Sequence, residues 1–302
     1  MSGAPIIICP YLHPEDAEKV RRAFGLEEPR GRKLEFFLWQ DREHIGPENA
    51  FQHCWSQFPD RDVIIVHPDM SPLPDDIENA WYDRLLDYGE EFPGAGALAC
   101  DLFYPHRLSC GSHAVQSGGG VFVGGLIKHV HGKRMPYDRR FRWPRKVAWA
   151  TFGGILLRRR ALEVCGGFDA RYSWAYVMDV DYSLEMRQRG FEIWQVPVNL
   201  LHEESTSTKA FLEQEAYQEK VQGNHQLFRE KWKDSALLEM GSEFATAEIL
   251  FLDSLQAEST AQQISGLESL IEGMHSSLSW RVTAPLRAVH DLITSSGSKP
   301  KE

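Results

Sequence analysis

Short apolar runs alternate with helix signals through the first hundred residues, and this alternation constrains the fold more than any other feature of the chain. Pro5 to Cys9 is β-branched and apolar, reads as a buried strand, and is ended by Pro10 and Tyr11. Pro14-Glu15-Asp16 then opens a helix expected to reach Phe24. The pattern repeats as strand Leu34 to Trp39, helix Pro47 to Phe58, strand Asp62 to Val66, helix Pro74 to Tyr88 and strand Gly96 to Leu102. Such alternation predicts an α/β, Rossmann-like fold with a mostly parallel sheet flanked by helices. Ligands of these folds bind beyond the carboxyl ends of the strands. Asp41 and Asp69 follow the second and third runs.

Gly111 to Pro144 breaks the pattern and reads as a long irregular segment, which inside a compact domain is usually functional or mobile. From Lys128 to Lys146 the chain is cationic, with Lys128, Lys133, Arg134, Arg139, Arg140, Arg142, Arg145 and Lys146 against the single acid Asp138. The whole chain carries a formal net charge of -10, which argues against general nucleic-acid binding. A cationic stretch in an acidic protein suits an anionic ligand such as a diphosphate or a lipid head group. Strand character returns from Val147 to Leu157, broken by Gly153-Gly154, and a short helix from Arg160 stops at Gly166-Gly167. The five cysteines are scattered, as expected for reduced thiols in a cytoplasmic protein. No apolar run reaches the roughly 20 residues of a membrane span, so any membrane contact is expected to be peripheral.

The next segment carries the chemistry. Gly166-Gly167-Phe168-Asp169 leads to Asp179-Val180-Asp181, a helix ended by Gly190, a strand from Glu192 to Val198, and His202. Carboxylates beside a histidine can deprotonate a hydroxyl or hold a divalent metal. Aspartate also caps helices, and taken singly Asp169 and Asp179 would be read as caps. Asp179 and Asp181 stand two apart and so point to opposite sides of a helix. Asp181 takes the structural role in this reading.

Several segments in order resemble a known family: Phe152-Gly153-Gly154-Ile155-Leu156-Leu157-Arg158-Arg159, the Gly166 to Asp169 turn, Asp179-Val180-Asp181, Gly190-Phe191, Val196-Pro197 and His202-Glu203-Glu204-Ser205. They resemble the inverting family 2 glycosyltransferases with the GT-A fold, nearest to the bacterial O-antigen and capsule group with its rhamnosyltransferase-like members. Val63 to Pro74 resembles that family's strand ending in the metal-binding D-x-D region. Val115 to Gly119 and Asn224 to Trp232 resemble further family segments, and the likeness covers roughly residues 4 to 235.

The resemblance implies a GT-A domain over residues 1–235, and the residues beyond it read as a helical tail over 236–302 with a disordered end from Ser295. It implies transfer of a sugar from a nucleotide-diphosphate donor to a glycan or lipid-linked acceptor in bacterial surface-polysaccharide synthesis, at the inner face of the plasma membrane. Pro10 and Asp41 would lie at the nucleotide, and Gly153 and Gly154 at the donor sugar. Asp69 and His202 would hold Mg or Mn. Asp179 would be the general base. Trp174, Arg139, Arg140 and Arg142 are candidate contacts to the acceptor or the diphosphate. The chain departs from the family at Met178, where Glu is common, at His67, the first position of the D-x-D triplet, and at Glu185, where many relatives carry Arg. A non-catalytic GT-A module that binds a glycan or nucleotide is the alternative. A nucleotidyltransferase ranks behind both.

Ile264, Leu267, Ile271, Met274 and Leu278 form a short a/d seam, expected either to pack on its own domain or to join a second copy or an assembly partner. The amphipathic end, Leu286 to Ile293, offers a face to a membrane surface.

Overall fold

A computed structural model describes residues 4–26, 34–73, 80–130, 132–137, 139–172, 176–203, 214–239 and 241–276. The strands are β1 (Ile6–Tyr11), β2 (Phe36–Gln40), β3 (Val63–Ile65), β4 (Met70–Pro72), β5 (Ala95–Arg107), β6 (His113–Ser117), β7 (Gly120–Val123), β8 (Leu126–His129), β9 (Gly132–Pro136), β10 (Arg145–Lys146), β11 (Ile155–Leu157) and β12 (Glu192–His202). The helices are α1 (Pro14–Ala23), α2 (Pro47–Ser56), α3 (Ala80–Glu91), α4 (Arg159–Cys165), α5 (Met178–Gln188), α6 (Gln214–Trp232) and α7 (Ala245–Ser276).

The main sheet runs in the order β10-β12-β5-β11-β3-β1-β2. Along it β12, β5, β3, β1 and β2 point one way, whereas β11 and β10 point the other. The α/β class holds, but the sheet is mixed rather than mostly parallel. The cause is β11, which enters between β5 and β3 in the reverse direction and pairs with both without a helical crossover between neighbours.

The stretch expected to be irregular, Gly111 to Pro144, contains four short strands. β7 and β8 form a hairpin with Val123 opposite Leu126. Its two loop residues, Gly124 and Gly125, both have positive φ, as a two-residue primed turn requires. The expected strand over Val147 to Leu157 is regular only from Ile155. Gly154, at φ +66°, turns the backbone just before it, and a Cβ there would lie 2.7 Å from Leu200 Cδ1.

Burial divides into two apolar clusters. One packs β1, β3, β5 and β12 against α1 and α3 through Ile7, Val20, Ile64, Trp81, Leu85, Leu98 and Leu200. The other joins Phe122 and Trp149 to Val180 and Leu184 of α5, Phe228 and Trp232 of α6, and Phe244. Each such large side chain contributes about 1.5–3 kcal/mol when fully buried.

The chain forms two compact units, Met1–Leu255 and Gln256–Glu302. The first extends past residue 235 because Phe244, Ala247, Leu250 and Phe251 are buried. In the second, Ile264, Leu267, Leu270 and Ile271 are exposed. The side chain of Met274, together with Leu278 and the whole of Leu286 to Ile293, lies outside the described residues. Among those described, no helix is long and apolar enough to cross a membrane.

Candidate functional site

Because β1, β2, β3 and β12 share one direction, Tyr11, Asp41, the loop after Ile65 and His202 meet at one edge of the sheet. β4 then folds back antiparallel onto β12, pairing Met70 with His202. That register sets His202 Nε2 3.3 Å from Asp69 Oδ1. The Glu203 N–H donates to the Asp69 carbonyl at 3.2 Å and fixes the crossing from the other side. The His67 ring stacks on Phe51 and meets the His202 ring edge-on at 5.3 Å. One ligand atom each from His67, Asp69 and His202 lies within 4.8 Å of the others.

Burial would raise the Asp69 carboxyl, but the His202 hydrogen bond and the two neighbouring imidazoles bring it down to about 2. Burial, then the charge of His202, lowers His67 to about 4, so that ring is neutral at physiological pH. An ionised carboxylate beside the neutral His67 imidazole suits the ligands of a divalent cation. His67 Nε2 is buried with no hydrogen-bond partner among the described residues. An orphaned nitrogen on a ring set beside a carboxylate and a second imidazole fits a cation site. Sequence reasoning counted His67 only as a departure from D-x-D.

Gly153 abuts this cluster, since a Cβ there would lie 3.3 Å from His67 Cε1. Gly154 faces the opposite way, into Leu200, Cys100 and Leu102, so core packing and positive φ account for it. Three residues before Gly153, the Ala150 N–H donates to Ser183 Oγ at 3.3 Å, and that hydroxyl donates to the Asp179 carbonyl at 2.7 Å. Three Cα steps span at most about 11 Å. The segment Ala150 to Gly153 therefore ties the start of α5 to the His67 cluster.

Asp179 lies in the first turn of α5, half-buried, with Oδ1 accepting the Val180 N–H at 2.9 Å. Burial, only partly offset by backbone N–H groups, pushes its carboxyl up to about 6. Just before it, Tyr176 and Val177 adopt φ of 64° and 77°. Left-handed backbone at non-glycine residues costs about 1–3 kcal/mol each and concentrates at functional sites. Val177 is held there by burial in the second apolar cluster, and the Tyr176 carbonyl accepts from Asn224 Nδ2 at 3.3 Å.

Asp181 points the other way, as its spacing from Asp179 predicts. It accepts from Tyr172 Oη at 3.0 Å, Trp232 Nε1 at 2.6 Å and Lys231 Nζ at 2.8 Å. Lys231 also reaches Asp169 at 3.2 Å and Glu185 at 2.9 Å. Hydrogen bonding from Arg171 holds Asp169 below the usual carboxylate range. This knot fastens α6 to α5 and gives Glu185 a partner that the sequence did not reveal. Asp181→Asn should cost about 2 kcal/mol in chemical denaturation, the worth of a hydrogen bond to a charged group. An unchanged midpoint would remove the knot from the account of what holds α5.

The cationic stretch divides. Arg145 is fully buried and pairs with Asp101, while Nε and Nη2 donate to the Gly118 carbonyl at 3.1 and 2.9 Å. Lys146 pairs with Glu192 at 2.5 Å and lies over the Trp194 ring. Neither cation is part of a loop open to an anionic ligand. Arg142 is exposed at the end of a 3-10 turn, Arg139–Arg142. The side chains of Arg139 and Arg140, and all of Trp174, lie outside the described residues. Pro10 lies within β1, opposite Trp39, and the strand runs on through Tyr11 rather than stopping at Pro10. Asp41 is buried and accepts the Ile45 N–H at 3.1 Å, which shapes the turn into α2.

No established family profile matches the chain. It is 29% identical over 142 residues to the O-antigen biosynthesis protein RfbC of Myxococcus xanthus, a match spanning 44% of this chain and 10% of that protein. It is 30% identical over 155 residues to the N-acetylglucosaminyl-diphospho-decaprenol L-rhamnosyltransferase of Mycobacterium tuberculosis, spanning 48% of each. The chain therefore spans half or less of the length of these relatives. The crystal structure of GalNAc-T7 with UDP, GalNAc and Mn2+ superposes with a TM-score of 0.52 over 77% of this chain and 48% of that one, at 12% identity. That likeness is of fold, and the fold is GT-A. Together the relatives and the fold support the resemblance to the family 2, rhamnosyltransferase-like group.

Proposed function

We propose that this chain is a glycosyltransferase that moves a sugar, with inversion, from a nucleotide-diphosphate donor to a hydroxyl of a glycan or lipid-linked acceptor in bacterial surface-polysaccharide synthesis. The observation that carries the reading is Asp179, a half-buried carboxylate at the start of α5 whose pKa is raised to about 6. A base poised near neutral pH is suited to accept a proton from an alcohol as that alcohol becomes a nucleophile. Asp179 takes the acceptor proton while the acceptor oxygen forms its bond to the anomeric carbon. The bond from that carbon to the diphosphate breaks on the opposite face, and its electron pair leaves with the nucleoside diphosphate. Asp41 and Pro10 bound the nucleotide end of the edge, and Gly153 leaves room for the donor sugar beside His67. Asp69 and His202 would hold a divalent cation, which when bound neutralises charge on the departing diphosphate.

The relatives' names, the GT-A fold and the linkage of Asp179 to the His67 cluster through Ala150 to Gly153 support this reading. The test is a screen of nucleotide sugars, each with Mn2+ or Mg2+, by thermal stabilisation and then by transfer. A donor present at 100 times its Kd should stabilise the protein by about 2.7 kcal/mol, and only in the presence of the metal. Stabilisation without turnover of any donor would favour a non-catalytic binding module. A nucleoside triphosphate consumed with release of pyrophosphate would overturn the transferase reading.

A further inference from the structure

The donor atoms at the sheet edge are unusual for a cation that is to be magnesium. We propose that His67 is a third metal ligand, that Gln116 is the positioning residue for His202, and that the resulting two-imidazole, one-carboxylate site selects a first-row transition ion such as Mn2+ over Mg2+. The proposal rests on the assignment of a cation to Asp69 and His202 and specifies its chemistry.

Two independent observations point to it. The first is His67 Nε2, buried with no hydrogen-bond partner among the described residues, on a ring that brings one of its nitrogens within 4.8 Å of ligand atoms of Asp69 and His202. A buried acceptor left without a partner costs about 1–3 kcal/mol, which a metal–nitrogen bond would offset.

The second is the way Gln116 holds His202. Its Nε2 donates to the His202 carbonyl at 3.1 Å, which fixes the orientation of the amide. Its Oε1 consequently faces His202 Nδ1, at 2.6 Å. An amide oxygen only accepts, so Nδ1 carries the proton. The other ring nitrogen, Nε2, is then left facing an Asp69 oxygen 3.3 Å away. A lone pair and a carboxylate at that distance need a positive species between them, either a second proton or a metal ion. Locking one ring nitrogen with an acceptor so that the other is free to ligate is how metal-bound histidines are held.

Selectivity follows from the donor set. Mg2+ prefers an all-oxygen octahedron and keeps its water, whereas imidazole nitrogen suits transition ions. An aspartate at position 67 would supply a hard oxygen in place of the His67 nitrogen and shift the preference back.

The experiment uses the full chain after chelator treatment. Mn2+ is titrated by the loss of the free-ion electron paramagnetic resonance signal, and Mg2+ is then added as competitor. Mg2+ should displace Mn2+ only at more than roughly tenfold excess. His67→Asp should reduce the Mn2+ to Mg2+ affinity ratio by about tenfold. Gln116→Leu should weaken Mn2+ binding by roughly 10–100-fold with the circular dichroism spectrum unchanged. Should His67→Asp not fold, His67→Asn replaces it, with the same loss of Mn2+ preference expected. Absence of Mn2+ binding would show that a shared proton alone joins His202 to Asp69. That result overturns the proposal, as do equal competition by Mg2+ and a ratio unmoved at position 67. Mn2+ binding with this pattern, but no turnover of any sugar donor, would leave the inference standing and remove the transferase reading.

Discussion

Asp179→Asn should abolish transfer and at the same time make the protein more stable at neutral pH. The first effect is the loss of a general base, worth about 10²–10⁴-fold in rate. The amide keeps an oxygen to accept the Val180 N–H, so α5 should start where it does now. The second effect follows from the direction of the pKa shift. The folded carboxyl titrates near 6, above its ordinary 3.8. Between those values the folded protein holds a proton that the unfolded chain has released, so stability falls as pH rises through that window. Above it the charged side chain costs at most about 3 kcal/mol, and less because it is partly open to water. Asparagine has no charge to bury. The expected result is an inactive variant with a higher Tm at pH 7.5 and a flatter stability profile between pH 4 and 6. In the wild type, kcat/KM should fall as pH drops below about 6, where the base is protonated. Turnover retained in the variant would sink the assignment of Asp179. Lower stability with turnover lost would make Asp179 a structural residue.

Arg145→Met should cost about 3–5 kcal/mol, enough to unfold many domains, because it leaves the Asp101 charge buried without its partner. Burial already pushes Asp101 up to about 6 against the pull of Arg145. Removing the guanidinium also takes two donors from the Gly118 carbonyl. The informative comparison is the double variant Asp101→Leu with Arg145→Met, measured by chemical denaturation. Removing both charges should recover most of the loss, since the cost lies in the orphaned ion rather than in the missing attraction. A double variant as unstable as the sum of the singles would mean that the pair organises the β5–β10 region through geometry that apolar side chains cannot replace.

The pair also shows where sequence reasoning reaches its limit. Alternating apolar runs and turn residues were enough for the α/β class because both are local. Whether Arg145 faces water or Asp101, forty-four residues away, is set by a tertiary contact that no local pattern encodes. The same holds for Glu185, a departure from a familiar motif until Lys231 stands beside it, and for His67, an isolated histidine until β4 folds back on β12. The direction of β11 was illegible for a related reason. Three apolar residues read identically in either direction, and the neighbouring strands decide which way they run. The Gly124-Gly125 hairpin fell in the stretch read as irregular, although two glycines between apolar runs are a recognised turn signal. The basic character of the surrounding stretch masked it.

The knot of Lys231 with Asp169, Asp181 and Glu185 also bears on the order in which the protein is made. The helix bearing Asp179 leaves the ribosome well before Lys231 and Trp232, and before Leu237, whose carbonyl accepts from Arg187, and Phe244, whose ring that guanidinium covers. At synthesis rates of about 5–20 residues per second, α5 waits several seconds for the side chains that seat it. The sheet edge with Asp69 needs only His202 to close, so the region around Asp179 is completed later than that edge on a nascent chain.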